Sequence, residues 1–149
     1  MLATLVPILR GCFLRLLKRT ATYQFFLSHH NAAACAMTRL LKMQLQGNPK
    51  VKNDVFLDSD NLLDLDTLLD TVSHNCGVVV ALCTRDYLER PWCLAEVVIS
   101  HANKVPMFPI RFDSFEAPDK DWIAQVGDNV DLYVLTEKGL SLDATEAAL

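Results

Sequence analysis

No apolar run in this chain approaches the ~18 residues that a membrane-spanning helix requires. Glycine and proline are scarce, 5 and 6 in 149 residues, and 51% of the residues are hydrophobic, which excludes a disordered or low-complexity chain and predicts a packed core. The length fits one domain able to bury that core without staples. Cysteines number five (12, 35, 76, 83 and 93), an odd count, and none forms a CxxC pair. The four histidines add no metal-ligand spacing. Buried free thiols are therefore expected at Cys35 and Cys83, and with them a reducing, intracellular (cytoplasmic) setting. Basic charge is scarce beyond the start. Arg10, Arg15, Lys18 and Arg19 are four of the fourteen bases, so residues 21–149 carry ten bases against all eighteen acids, a net charge of −8. An acidic domain is a poor match for a nucleic-acid backbone, and no nucleic-acid partner is expected.

What is present centres on residues 77–100, GVVVALCTRDYLERPWCLAEVVIS. Residues 78–82 are a continuous apolar run rich in valine, the pattern of a strand buried on both faces of a parallel sheet. Polar residues 84–90 follow. Pro91 then stands where a first helical turn tolerates a missing N–H. The helix behind it carries a single carboxylate, Glu96, near its start. A ligand site would lie beyond the carboxyl end of such a strand.

Elsewhere, residues 23–27 (YQFFL) and 55–57 (VFL) read as strands and 105–111 (VPMFPIR) as a fourth, whose prolines point to a position near an edge or to an irregular end. Residues 132–135 (LYVL) read as a fifth strand. Helices are expected over about 32–45, with Ala36, Leu40, Leu41 and Met43 facing inward, over 67–75, and over 137–148 with Thr136 as cap. A helical turn is expected at 122–126. Strand and helix thus alternate about five times, which predicts right-handed βαβ units and a parallel sheet covered on both faces. Residues 1–20, apolar and basic, form a separate segment before a domain at 21–149. Leu5, Leu9, Phe13, Leu16 and Leu17 stand at the spacing of a helical stripe, broken near Pro7 and Gly11. A membrane-surface helix or transit-like leader, and a helix packed on the domain or a frayed end, stand as alternatives.

Several groups invite a chemical reading. The aspartates from Asp54 to Asp70 fail as a calcium loop starting at Asp58, because Leu62, Leu63 and Leu69 occupy the positions that need an oxygen ligand, glycine and glutamate. VFLDSDNLL also has the outline of a phosphatase strand ending in Asp-x-Asp, with Asp58 as nucleophile and Asp60 as acid, but Leu62 departs from it; a solvated loop and helix start is the simpler reading. His29 and His30 end the first strand, near the expected crevice, where an exposed polar role is the ordinary one. Cys93 at a helix start is read as a packed thiol rather than a nucleophile, since no general base follows it.

Taken in order, four pieces resemble a Toll/interleukin-1 receptor (TIR) domain: YQFFLSHH, VFLDSDNL, GVVVALCTRDYLERPWCLAEV and VPMFPIRF. The resemblance covers about residues 22–112 and implies the α/β, flavodoxin-like TIR fold, a five-stranded parallel sheet in the order 2-1-3-4-5. Some members of that family cleave the nicotinamide–ribose bond of NAD+; others are adaptors that bind other TIR domains. In the first branch the glutamate of the Trp-Cys-x-x-Glu helix is essential, and it maps onto Glu96. His29, His30 and Phe56 map onto pocket-lining positions. Trp92, one turn before Glu96, is placed to stack on a flat base. The resemblance therefore implies NAD+ as substrate with no further cofactor and no metal, and other TIR domains, including a second copy, as partners. The alternative is a non-catalytic interaction module. Two departures stand out: the arginine common after the first strand is replaced by His29-His30-Asn31, and the Pro-Gly turn of the loop after the second strand (the BB loop) by Leu63-Asp64-Leu65.

Overall fold

The computed structural model describes residues 21–57 and 65–149. The expectations for residues 1–20 and for the loop holding Asp58, Asp60 and Asp64 lie outside the described residues. The elements run β1 (Tyr23–His29), α1 (Asn31–Gln46), β2 (Asp54–Phe56), α2 (Leu65–Asp70), which continues into a π-helical turn at Thr71–Asn75, β3 (Cys76–Cys83), α3 (Pro91–Ala102), β4 (Met107–Arg111), and four short helices: α4 (Lys120–Ala124), α5 (Val126–Asn129), α6 (Tyr133–Glu137) and α7 (Leu142–Ala148).

The strands form one parallel sheet in the order β2-β1-β3-β4. β3 lies at its centre, with Phe26 opposite Val79 on one side and Leu82 opposite Ile110 on the other. Alternation along the pleat sorts the side chains into two layers. Phe26, Phe56 and Val79 point to one face, where α2, α3, α5 and α6 supply Leu68, Leu69, Leu94, Val98, Val126 and Leu135. Leu27, Val55, Val80 and Leu82 point to the other, against Ala34 of α1 and the flank of Leu41 and Leu45. Phe26 stacks on Phe56 at 4.9 Å and Tyr23 meets Phe56 edge-on at 5.0 Å, so the junction of β1 and β2 is closed by aromatic contact.

Three expectations need correction. Residues 132–135 are not a fifth strand; they belong largely to α6, and the sheet has four strands among the described residues. A four-residue apolar run fits a buried helical turn as well as a strand. Polar bonds decide here: the Tyr133 N–H donates to Asp131 Oδ1 at 2.9 Å, and the Thr136 hydroxyl donates to the Leu132 carbonyl at 3.0 Å. The last helix starts at Ser141, whose Oγ accepts from the Ala144 N–H at 3.2 Å, because Gly139, at φ +71°, ends α6 first. In α1 the inward stripe is Ala34, Thr38, Leu41 and Leu45, while Ala36, Leu40 and Met43 are exposed. The alanines of its first turns leave the phase of that stripe undefined in sequence. β4, by contrast, sits at the sheet edge among the described residues, one of the two places its prolines allow.

Candidate active site

β1 leads to β2 on one side of the sheet, and β3 leads to β4 on the other. The order therefore reverses between β1 and β3, and their carboxyl ends flank the crevice where α/β sheets of this kind take ligands. Ser28 and Ala81 are register partners there. Period-two alternation puts Ser28 on the same face as Phe26, under α3. Glu96 lies one turn into α3 and is 5% exposed.

The Ser28 hydroxyl donates to Glu96 Oε2, and Ser28 Oγ also bonds the Tyr87 hydroxyl. Serine has one proton, so giving it to Glu96 makes Tyr87 the donor to Ser28. The result is a buried relay, Tyr87 to Ser28 to Glu96, that ends on a carboxylate. Tyr87 comes from the turns at 85–89 and is fully buried. Burial first, and the negative charge of Glu96 second, raise its pKa well above 10, so it stays protonated and able to donate. Each hydroxyl of the relay thus donates its proton to a partner, and the buried carboxylate accepts one.

Two further polar atoms border the crevice. His30 Nδ1, just past β1, and Thr84 Oγ1, just past β3, are buried and have no hydrogen-bond partner among the described residues. Unpartnered buried polar atoms are rare in folded proteins, and at a sheet's ligand end they are groups a ligand can satisfy. Burial, followed by the nearby Arg90 charge, holds the His30 pKa below 6.5, with Asp86 opposing and His29 adding to the depression.

The residues expected from sequence are not all together. Glu96 and Trp92 share α3, with Trp92 half-buried against the core beside it. His30 follows β1 directly, at the crevice, and is the N-cap residue of α1. His29 is buried and, by alternation, faces the layer of Leu27, across the sheet from Ser28 and Glu96. Phe56 is wholly buried in the aromatic stack with Phe26, with no free face toward a crevice. The Cys93 thiol donates to the His29 carbonyl at 3.5 Å and ties α3 to the end of β1. Ser28, Tyr87 and Thr84 were not singled out from sequence as site residues. Ser28 had a local signal: a lone hydroxyl at an inward position of an otherwise apolar strand needs a buried partner. Tyr87 and Thr84 had none without the topology. A separate cleft of about 290 Å³ opens between Arg85, Glu89, Phe115 and Trp122, and Glu96 does not line it.

A comparison with protein-family models matches the TIR domain over residues 25–140, well over half of the chain. The chain belongs to the TIR-domain family. The β2-β1-β3-β4 sheet agrees with the flavodoxin-like fold of TIR domains, which serve signalling and defence. No curated protein matched this TIR domain. Among its described residues, no helix is long and apolar enough to cross a membrane, and no cluster of three or more His, Cys, Asp or Glu side chains is arranged to hold a metal ion.

Proposed function

We propose that this TIR domain cleaves the nicotinamide–ribose bond of NAD+, with Glu96 as the catalytic carboxylate. The observation that supports it most is the relay from Tyr87 through Ser28 to a single buried carboxylate at the ligand end of the sheet. The reaction asks little more of the protein. The C1′–N bond breaks with its electron pair leaving on nicotinamide, which departs neutral. The ribose becomes oxocarbenium-like, and a fixed carboxylate stabilises that charge. Water adds at C1′ and releases one proton, giving ADP-ribose, nicotinamide and H+. The same centre trapped by the adenine base would give a cyclic product. His30 and Thr84 supply polar contacts at the rim, and Trp92 supplies an aromatic face one turn from Glu96. His29 and Phe56 enter this reading as residues that shape the pocket wall from behind. Self-association belongs to the same proposal, since a neighbour's BB loop completes the site in enzymatic relatives.

A second reading, a non-catalytic module that assembles with other TIR domains, draws on a specific observation: Glu96 is 5% exposed and hydroxyl-bonded, as a purely structural carboxylate would be. Nicotinamide release separates the two. The enzymatic reading expects release by wild type at assembling concentrations and its loss in Glu96→Gln. Assembly without release supports the module.

A further inference from the structure

Among the described residues, the two faces of the sheet are covered unequally. Four strands about 4.8 Å apart present a face of about 20 Å, and one helix about 10 Å thick covers half of it. On one face α2, α3, α5 and α6 share the work. On the other, α1 packs on β1 and β2, and an apolar groove of about 310 Å³ opens over β3 and β4. Phe25, Leu41, Leu45, Val80, Phe108 and Ile110 line it. α1 itself carries two apolar stripes. The inner one, Ala34, Thr38, Leu41 and Leu45, faces the sheet. At about 100° per residue, Ala33, Ala36, Met37, Leu40 and Met43 fall on the opposite side, and all five are exposed. Both charged residues of the helix, Arg39 and Lys42, lie on one flank of that outer stripe. The other flank, where Gln44 joins Met37 and Leu41 leads into the groove, is uncharged. Four of the six exposed large hydrophobic side chains among the described residues, Met37, Leu40, Met43 and Phe108, therefore stand on one side of the sheet. Exposed apolar surface gathered in this way marks an interaction site.

We propose that a second copy of this chain covers this side, the α1 of each copy laying its outer stripe in the groove of the other. The groove lies beside α1 on the same face of the sheet. A half-turn about an axis parallel to α1, at the free flank of the helix, therefore sets each helix over the other copy's β3 and β4. Two sheets about 20 Å apart then enclose one shared layer of two helices. A helix that is apolar on opposite sides belongs between two packed surfaces. Here the inner stripe sits on its own β1 and β2, and the outer stripe on the partner's β3 and β4. Arg39 and Lys42 fall on the flank away from the groove, at the rim of the contact, where charge is tolerated. The extent is sufficient as well. With 16 residues α1 is about 24 Å long, so each seat covers about 240 Å². Two seats, counting both surfaces of each, bury about 1,000 Å², the size at which an interface becomes specific. This contact is separate from the BB-loop contact of the proposed function, and it stands whether or not Glu96 is catalytic.

The test is sedimentation velocity on the full chain through the micromolar range. Wild type should pass from monomer to dimer as its concentration rises. Phe108→Asp, in the groove, and Met43→Glu, on the outer stripe, should each weaken association at least about tenfold. The two positions are 61% and 69% exposed, so melting curves should show both variants folded. Where a charge does lower the melting point, Phe108→Ser and Met43→Gln repeat the test without one. An equimolar mixture of the two variants, at the same total concentration, should dimerise better than either alone, because the mixed pair keeps one intact seat of two. A helix-to-helix contact would leave Phe108→Asp dimeric, and a groove-to-groove contact would leave Met43→Glu dimeric. Either variant associating as wild type does therefore overturns the proposal, as does a mixture no better than its parts. A wild type that stays monomeric overturns it too, whether the groove is then covered by another part of the chain or by nothing. Association seen only with phosphatidylserine-containing vesicles would assign this side to a membrane surface and likewise overturn it.

Discussion

Ser28 stands between two partners, and this makes its contribution separable from theirs. Ser28→Ala removes the acceptor for Tyr87 and the donor to Glu96 at once, leaving two buried polar groups short of a bond. A loss of about 2–3 kcal/mol is expected in urea unfolding. Tyr87→Phe removes one hydroxyl, keeps the ring packed, and should cost about 1 kcal/mol. The double variant should cost less than the sum, since both act on one relay. Strict additivity would mean that the three groups do not act as a unit. His30 carries a pH signature whose sign follows from its burial. Its folded pKa lies below the ordinary 6.5, so the unfolded chain binds the proton more readily. The stabilising effect of its neutral form is complete above pH 6.5 and is lost as the pH falls through 6.5 toward the folded pKa. Melting curves of wild type and His30→Asn at pH 7.5 and 5.5 check this: wild type should lose more stability on acidification than the variant. At Cys76, burial first and the Glu96 charge second push the pKa up to about 12, so it remains a thiol at neutral pH.

At the level of elements, the sequence was most legible where pattern and punctuation agreed. β3 is a valine run too apolar for anything but an interior strand, and Pro91 marks the first turn of α3. β1 and β2 are legible for the same reason, while the prolines of the VPMFPIR stretch left an edge and an irregular end both open for β4, which pairs with β3 alone among the described strands. The misreadings fell where the period is ambiguous. Four apolar residues at 132–135 have no period long enough to distinguish strand from helix, and the bonds of Asp131 and Thr136 settle it. In α1 the apolar residues nearly encircle the helix, so its phase comes from the sheet it covers. Two leucines test that phase. Leu40 is 49% exposed and Leu41 packs on the layer of Leu27 and Val80. Leu40→Ala should stay within about 0.5 kcal/mol of wild type, whereas Leu41→Ala should cost clearly more. Leu94→Ala, at a fully buried position of α3, should cost about 2–5 kcal/mol. Equal effects at Leu40 and Leu41 would contradict the observed packing.

For the whole molecule, family membership rests on an ordered set of strand and helix pieces, and the match to the TIR domain over residues 25–140 agrees with it. The candidate site was legible only in part. Glu96 and Trp92 could be picked out because they sit four apart on a helix after a central strand. The hydroxyl relay that ends on Glu96 could not, because Ser28 and Tyr87 lie 59 residues apart and meet only when β1 and β3 pair. The same pairing turns His29 away from Glu96, a consequence of strand alternation that a motif read as a string of letters does not show. In the proposed reaction Glu96, held by that relay, stabilises a ribosyl cation. Nicotinamide release from NAD+ tests this role, with wild type and Glu96→Gln compared at concentrations where the protein assembles and with melting curves confirming that both are folded. Wild type should release nicotinamide, and Glu96→Gln should release it at least about a hundredfold more slowly; no release by assembled wild type, or equal release by the two proteins, would rule out a catalytic Glu96.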